Sequence, residues 1–96
     1  FAADFDEAGR MMTEEWESRK KLAPGITTPK MEELGEAALE AGAAGVKGCG
    51  AAGGGAMVFL VRLGMKRAVE LALEKRGAVI LSAEPDKKGC IVEALP

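Results

Sequence analysis

The chain has 96 residues, 48% of them apolar and 29% charged, with a net charge of −2. That balance suits one globular domain with a single core, burying roughly 65% of its unfolded surface, and excludes the biased composition of a disordered chain. It also lacks the basic footprint of non-specific nucleic-acid binding, and its longest uncharged stretch, Gly48–Val61, is shorter than the ~20 residues that cross a bilayer.

No histidine is present, which excludes the usual zinc constellations, Cys–His nucleophiles and Ser-His-Asp chemistry. Metal binding through this chain is not expected. The two cysteines, Cys49 and Cys90, read as reduced thiols of a cytoplasmic protein, with a disulfide between them left open. Cys90 reads as a small buried hydrophobe. The start, Phe1-Ala2-Ala3-Asp4-Phe5-Asp6, carries neither an initiator methionine nor a secretory leader. The chain is therefore expected to be a piece of a longer one.

From Asp4 to about Leu22, Phe5, Ala8, Met12 and Trp16 recur at helical spacing, with charged residues between them. The segment Ala23-Pro24-Gly25-Ile26-Thr27 breaks that pattern. Thr28 then supplies a capping hydroxyl and Pro29 a first helical position. This second helix has Met31, Leu34, Ala38 and Ala41 as its stripe, Glu32 and Glu33 near its positive end, and Gly42 as its stop. A short extended piece around Gly45-Val46-Lys47 and the apolar run Ala56–Val61 read as strands. Gly64–Arg76 reads as a third helix, with Met65, Ala68, Val69, Ala72 and Leu73 inward and Gly77 as its terminator. Ala78–Leu81 and Cys90–Ala94 read as closing strands, joined through a turn-rich Glu84–Gly89. All five methionines are read as packing residues, and Glu14, Glu15, Glu17, Glu32, Glu33, Glu36 and Glu40 as solvated helix faces. The order α-α-β-β-α-β-β suits an α+β two-layer sandwich: an antiparallel sheet of about four strands with helices on one face.

The densest signal is Lys47-Gly48-Cys49-Gly50-Ala51-Ala52-Gly53-Gly54-Gly55, directly before the strand beginning at Ala56. Glycine permits positive φ and close approach but costs folding entropy elsewhere. Three readings are open: a nest of bare N–H groups for phosphate or another anion, a flexible linker, or tight backbone packing against another segment. The string matches G-x-G-x-x-G, yet a strand comes after it where a dinucleotide fold needs a helix, and Glu70, the acid at the expected distance, sits inside a helical pattern. A P-loop fails too, because Lys47 precedes the glycines and no Gly-Lys-Ser/Thr occurs.

Gly42-Ala43-Ala44-Gly45-Val46-Lys47 followed by Gly50-Ala51-Ala52-Gly53-Gly54-Gly55 resembles the third signature motif of the GHMP kinases, the superfamily of galactokinase, homoserine kinase, mevalonate kinase and phosphomevalonate kinase. Trp16-Glu17-Ser18-Arg19-Lys20-Lys21-Leu22, then Gly25-Ile26-Thr27-Thr28-Pro29 and a helix with Leu34, is similar to the sugar-kinase branch that includes D-glycero-D-manno-heptose 7-phosphate kinases. Cys49 stands where serine is usual, a weaker hydrogen-bond donor at a possible substrate contact, and Ala52 stands where glycine is usual.

The resemblance implies a ferredoxin-like C-terminal domain of a two-domain enzyme that uses ATP and magnesium to phosphorylate a sugar or sugar phosphate. The implied partners are an N-terminal kinase domain, which holds the main phosphate loop, the catalytic acid and most of the ATP and Mg2+ contacts, and the sugar substrate. Residues 1–96 would form one domain, catalytically inactive alone. Its share of the site is the loop Gly50, Ala51, Ala52, Gly53, Gly54 and Gly55. Lys47 is read either as added positive charge near the phosphates or as a solvated strand-end lysine, and Trp16 either as a wall of the sugar side or as core. Surface that meets the first domain is expected to be apolar, favouring self-association into a homo-oligomer when uncovered. The competing readings are a stand-alone α+β module binding a small anionic ligand, and an interaction module whose loop permits close contact.

Overall fold

The computed structural model describes residues 2–48, 55–85 and 89–96. Along them run helices α1 (Ala2–Lys20) and α2 (Pro29–Glu40), strands β1 (Ala43–Gly48) and β2 (Met57–Val61), a 3-10 turn over Leu63–Met65, helix α3 (Lys66–Lys75), and strands β3 (Val79–Pro85) and β4 (Cys90–Leu95). The punctuation acts as its chemistry requires. Thr28 Oγ1 accepts the Met31 N–H at 3.1 Å and Pro29 opens α2, while Gly42 and Gly77 take φ of 114° and 89° just beyond the ends of α2 and α3.

The strands form one antiparallel sheet in the order β1-β2-β4-β3. β2 and β3 are both antiparallel to β4, so β2-α3-β3 is a split β-α-β unit with β4 inserted, as the α+β expectation requires. Val46, Phe59 and Val92 form one cross-strand row, and Gly48, Met57 and Ala94 the next. Both rows face α2 and α3, where they share a core with Met31, Leu34, Ala38, Val69 and Leu73. Cys90 is 1% exposed and belongs to this core; burial pushes its thiol pKa up, against the lowering effect of the Lys66 charge and with the raising effect of Glu70. On the opposite face Val79, Ile91 and Leu95 are exposed and Val58 and Leu60 half-buried.

Helix α1 lies along β1, the edge the sheet would otherwise leave open. It approaches to backbone contact. A Cβ on Gly45 would stand 2.7 Å from the Gly9 Cα, and one on Gly9 would stand 2.8 Å from the Ala44 Cβ, distances that real side chains do not adopt. Thr13 completes the seam, its Oγ1 donating to the Gly9 carbonyl at 3.0 Å and accepting the Val46 N–H at 3.1 Å. Alternate residues of an antiparallel strand turn N–H and C=O away from their partner, so Val46 is satisfied by the helix in place of a fifth strand. At the start of α1, Phe5 is buried against Gly89, and Arg62 sits above its ring at 5.3 Å while pairing with Asp6.

Several expectations need correction. Helix α1 ends at Lys20, short of Leu22, and turns Gly9 inward while Ala8 is exposed and Met12 half-buried. Met11 is 58% exposed and is no packing residue in the sense of the buried Met31 and Met57, while Met65, 36% exposed, lies over Gly42 at the end of α2. In α3 the buried residues are Val69, Glu70 and Leu73, whereas Ala68 is exposed. Glu70 is held by Lys66 at 3.0 Å. Strand β3 continues through Glu84 and Pro85, read from sequence as turn; on an edge strand the missing proline N–H costs no ladder bond.

Two outcomes test this packing. Gly45→Ala should destabilise the domain by about 1–3 kcal/mol, seen as a lower urea midpoint at unchanged slope. Alkylation of Cys90 by iodoacetamide should proceed only at the rate of unfolding, and a fast-reacting Cys90 would contradict its placement.

Candidate functional site

The glycine-rich connection joins the paired ends of neighbouring strands, since Gly48 at the close of β1 stands opposite Met57 at the opening of β2. Of the residues singled out there, Cys49, Gly50, Ala51, Ala52, Gly53 and Gly54 lie outside the described residues. Gly55 is half-buried just ahead of β2, and Lys47 is half-buried as the penultimate residue of β1. Lys47 pairs in register with Val58, which pairs with Glu93. Its side chain is therefore on the face turned away from α2 and α3.

Gly48 is fixed from two sides. A Cβ there would stand 2.5 Å from Trp16 Cη2 and 2.9 Å from the Met31 methyl, so this first glycine of the stretch is present for close packing. Trp16 itself is 3% exposed and part of the main core. That settles its position in favour of packing, with its ring edge against the residue from which the connection departs. Arg19 Nη2 donates to the Gly48 carbonyl at 3.4 Å, and the Arg19 guanidinium lies 5.5 Å from the centre of the Trp16 ring.

The same end of the domain collects α2's N-terminus and α3's C-terminus. Lys30 Nζ donates to the Arg76 carbonyl, and Glu33 lies 3.7 Å from both Lys30 and Arg76. Lys20 closes the bottom of α1 onto α2. Its Nζ donates to Glu17 at 2.8 Å and to both Glu32 oxygens at 2.9 Å, and Thr27 Oγ1 donates to Glu32 at 2.7 Å. Between α1 and α2, over β1, this network walls a cleft of about 240 Å³ floored by Trp16, Met31 and Val46. Sequence periodicity read Glu17 and Glu32 as solvated faces. Glu17 meets Lys20 as an i,i+3 pair along α1, whereas Glu32 reaches it only because α1 and α2 lie side by side, which spacing along one helix does not encode.

The family model described as GHMP kinases C terminal matches residues 1–79. This chain belongs to the GHMP kinase C-terminal family. The match takes in α1 through the first residue of β3, including Lys47, the glycine-rich connection and Trp16. No curated protein and no solved structure matches the chain. Membership makes it a GHMP-family kinase domain, and its α+β architecture with an antiparallel four-stranded sheet is the one that family implies. Among the described residues, no helix is long and apolar enough to cross a membrane, and no group of three His, Cys, Asp or Glu side chains gathers to hold a metal ion.

The Lys20–Glu32 pair gives the site a pH signature. Burial alone lowers the Lys20 pKa, but the hydrogen bonds and charges of Glu17 and Glu32 outweigh it and leave it above 10.5. Burial likewise raises Glu32, and the bonds from Lys20 and Thr27 outweigh that, leaving it below 4.5. The Glu32 contribution to stability is therefore complete above pH 4.5 and lost as the pH falls through its depressed value; the Lys20 contribution is complete below pH 10.5 and lost above its raised one. Glu32→Gln should lower the urea midpoint at pH 7, and the gap from wild type should close on acidification below pH 4.5. A gap that is constant down to pH 2 would contradict the pairing.

Proposed function

We propose that this domain is the C-terminal half of an ATP-dependent kinase for a small metabolite, a sugar or sugar phosphate, and that Gly50–Gly55 forms one wall of the cleft it shares with an N-terminal kinase domain. The observation that carries the reading is the junction at Gly48 and Met57. A side-chain-poor connection leaves and re-enters the sheet there, beside the N-terminus of α2, within the segment the family model matches. Phosphoryl transfer is mainly positioning and charge stabilisation. A wall of bare backbone lets phosphate oxygens approach its N–H groups closely.

ATP phosphates suit a wall of bare N–H groups by their charge. The backbone of Gly50, Ala51, Ala52, Gly53, Gly54 and Gly55 would border them, Lys47 would add a positive charge from the end of β1, and Cys49 would offer a weak donor toward substrate. Magnesium, when bound with ATP, neutralises charge on the phosphate oxygens; in this reading its ligands belong mainly to the N-terminal domain. The sugar preference rests on the Trp16–Leu22 and Gly25–Pro29 segments that resemble the sugar-kinase branch.

The test uses the enzyme in which this domain is joined to its N-terminal partner. Gly54→Val should reduce ATP-dependent turnover at least a hundredfold, with the thermal midpoint held within a few degrees. Wild-type turnover in that variant would remove the connection from the site. ADP release across a panel of sugars, sugar phosphates, homoserine and mevalonate should be fastest with a sugar or sugar phosphate, and selective use of homoserine or mevalonate would overturn the substrate class.

A further inference from the structure

We propose that the cleft between α1 and α2 is a binding site for a small organic cation, a primary ammonium carried on a short apolar stem. The proposal is independent of the kinase reading and uses only residues of α1, α2 and β1.

The cleft sets charge above an apolar floor. Trp16, Met31 and Val46 close its bottom, each 3% exposed, and Leu39, 40% exposed, brings apolar surface to its mouth. Around them stand three carboxylates, Glu17 on α1 and Glu32 and Glu36 on α2, against the single ammonium of Lys20. The cleft already holds that one ammonium. Lys20 Nζ donates to Glu17 Oε2 at 2.8 Å and to both Glu32 oxygens at 2.9 Å, and it lies 5.5 Å from the centre of the Trp16 ring with 11% of its side chain exposed. The lining still carries an excess of negative charge. Glu36 makes no ion pair among the described residues, and Glu17 gives Lys20 only one of its two oxygens. Glu32 and Glu36 are like charges one helical turn apart, a repulsion that a cation between them relieves.

Size and charge narrow the ligand. The volume of about 240 Å³ holds roughly eight non-hydrogen atoms at ~30 Å³ each, the size of a small amine and far short of a nucleotide. An anion meets the carboxylates, and a bare metal ion leaves the apolar floor and Leu39 unused. An organic ammonium satisfies both halves of the lining, with charge-assisted hydrogen bonds at the rim and its stem against the floor.

Trp16 is the one tryptophan of this chain, and tyrosine is absent, so tryptophan emission reports on the cleft without any assay of activity. In this chain, titration with phenethylamine should change Trp16 emission saturably, and phenethyl alcohol, the same body without the charge, should bind about tenfold more weakly. Glu36 is exposed, so Glu36→Gln should weaken phenethylamine about fivefold or more without lowering the urea midpoint. Leu39→Lys, which sets a competing ammonium at the mouth, should abolish saturation over the same range. Absence of a saturable change overturns the proposal. Equal binding of the amine and the alcohol also overturns it, as does wild-type affinity for the amine in either variant once its urea midpoint shows it folded.

Discussion

The arrangement of this domain depends on how closely α1 lies against β1. Gly9 and Gly45 meet backbone to backbone, and Gly48 leaves room for the Trp16 ring. A methyl at any of the three would have to displace main chain or a buried indole. This close approach lets Thr13 and Arg19 reach the outward N–H of Val46 and the carbonyl of Gly48. The helix thereby stands in for a missing fifth strand and protects an edge that would otherwise invite pairing with another chain.

From that seam the two ends of the domain acquire different characters. At one end Phe5, Gly89, Arg62 and Asp6 anchor the start of α1. At the other, the close of α1, the opening of α2 and the end of α3 converge on the junction of β1 and β2. Core rows built on Phe59 and Met57, both fully buried, keep β2 centred in the sheet. The strand ends Gly48 and Met57, from which the glycine-rich segment leaves and to which it returns, are paired in register at this end.

Much of the fold was legible because its signals are local. Thr28-Pro29 starts a helix by its own chemistry, Gly42 and Gly77 stop helices by adopting positive φ, and the apolar runs mark the strands in order. The family too was legible, through the spacing of small residues around Lys47. The features that local pattern missed are pairwise. Gly9 has no meaning until Gly45 is placed beside it, and the helical period pointed to Ala8 in its stead because period locates side chains, whereas this contact is made by backbone. Hydrophobicity likewise assigned Met11 to packing, yet a core forms only where elements face one another, and Met11 faces out. Pro85 misled because proline marks a turn in most settings and is tolerated on the outer edge of a sheet. Of the residues singled out in the sequence, Lys47, Gly48 and Gly55 are placed, and the contacts that went unforeseen, Arg19 with the Gly48 carbonyl and Lys20 with Glu32, are made between elements rather than along one of them.

Whether α1 seals the β1 edge at backbone distance is read most directly from hydrogen exchange of the Val46 amide, because that N–H points away from the sheet and Thr13 on α1 accepts it. Val46 should exchange as slowly as the central-strand amide of Phe59, at the rate of global unfolding. Exchange of Val46 orders of magnitude faster than Phe59, at the pace of an uncovered edge strand, would contradict the seal.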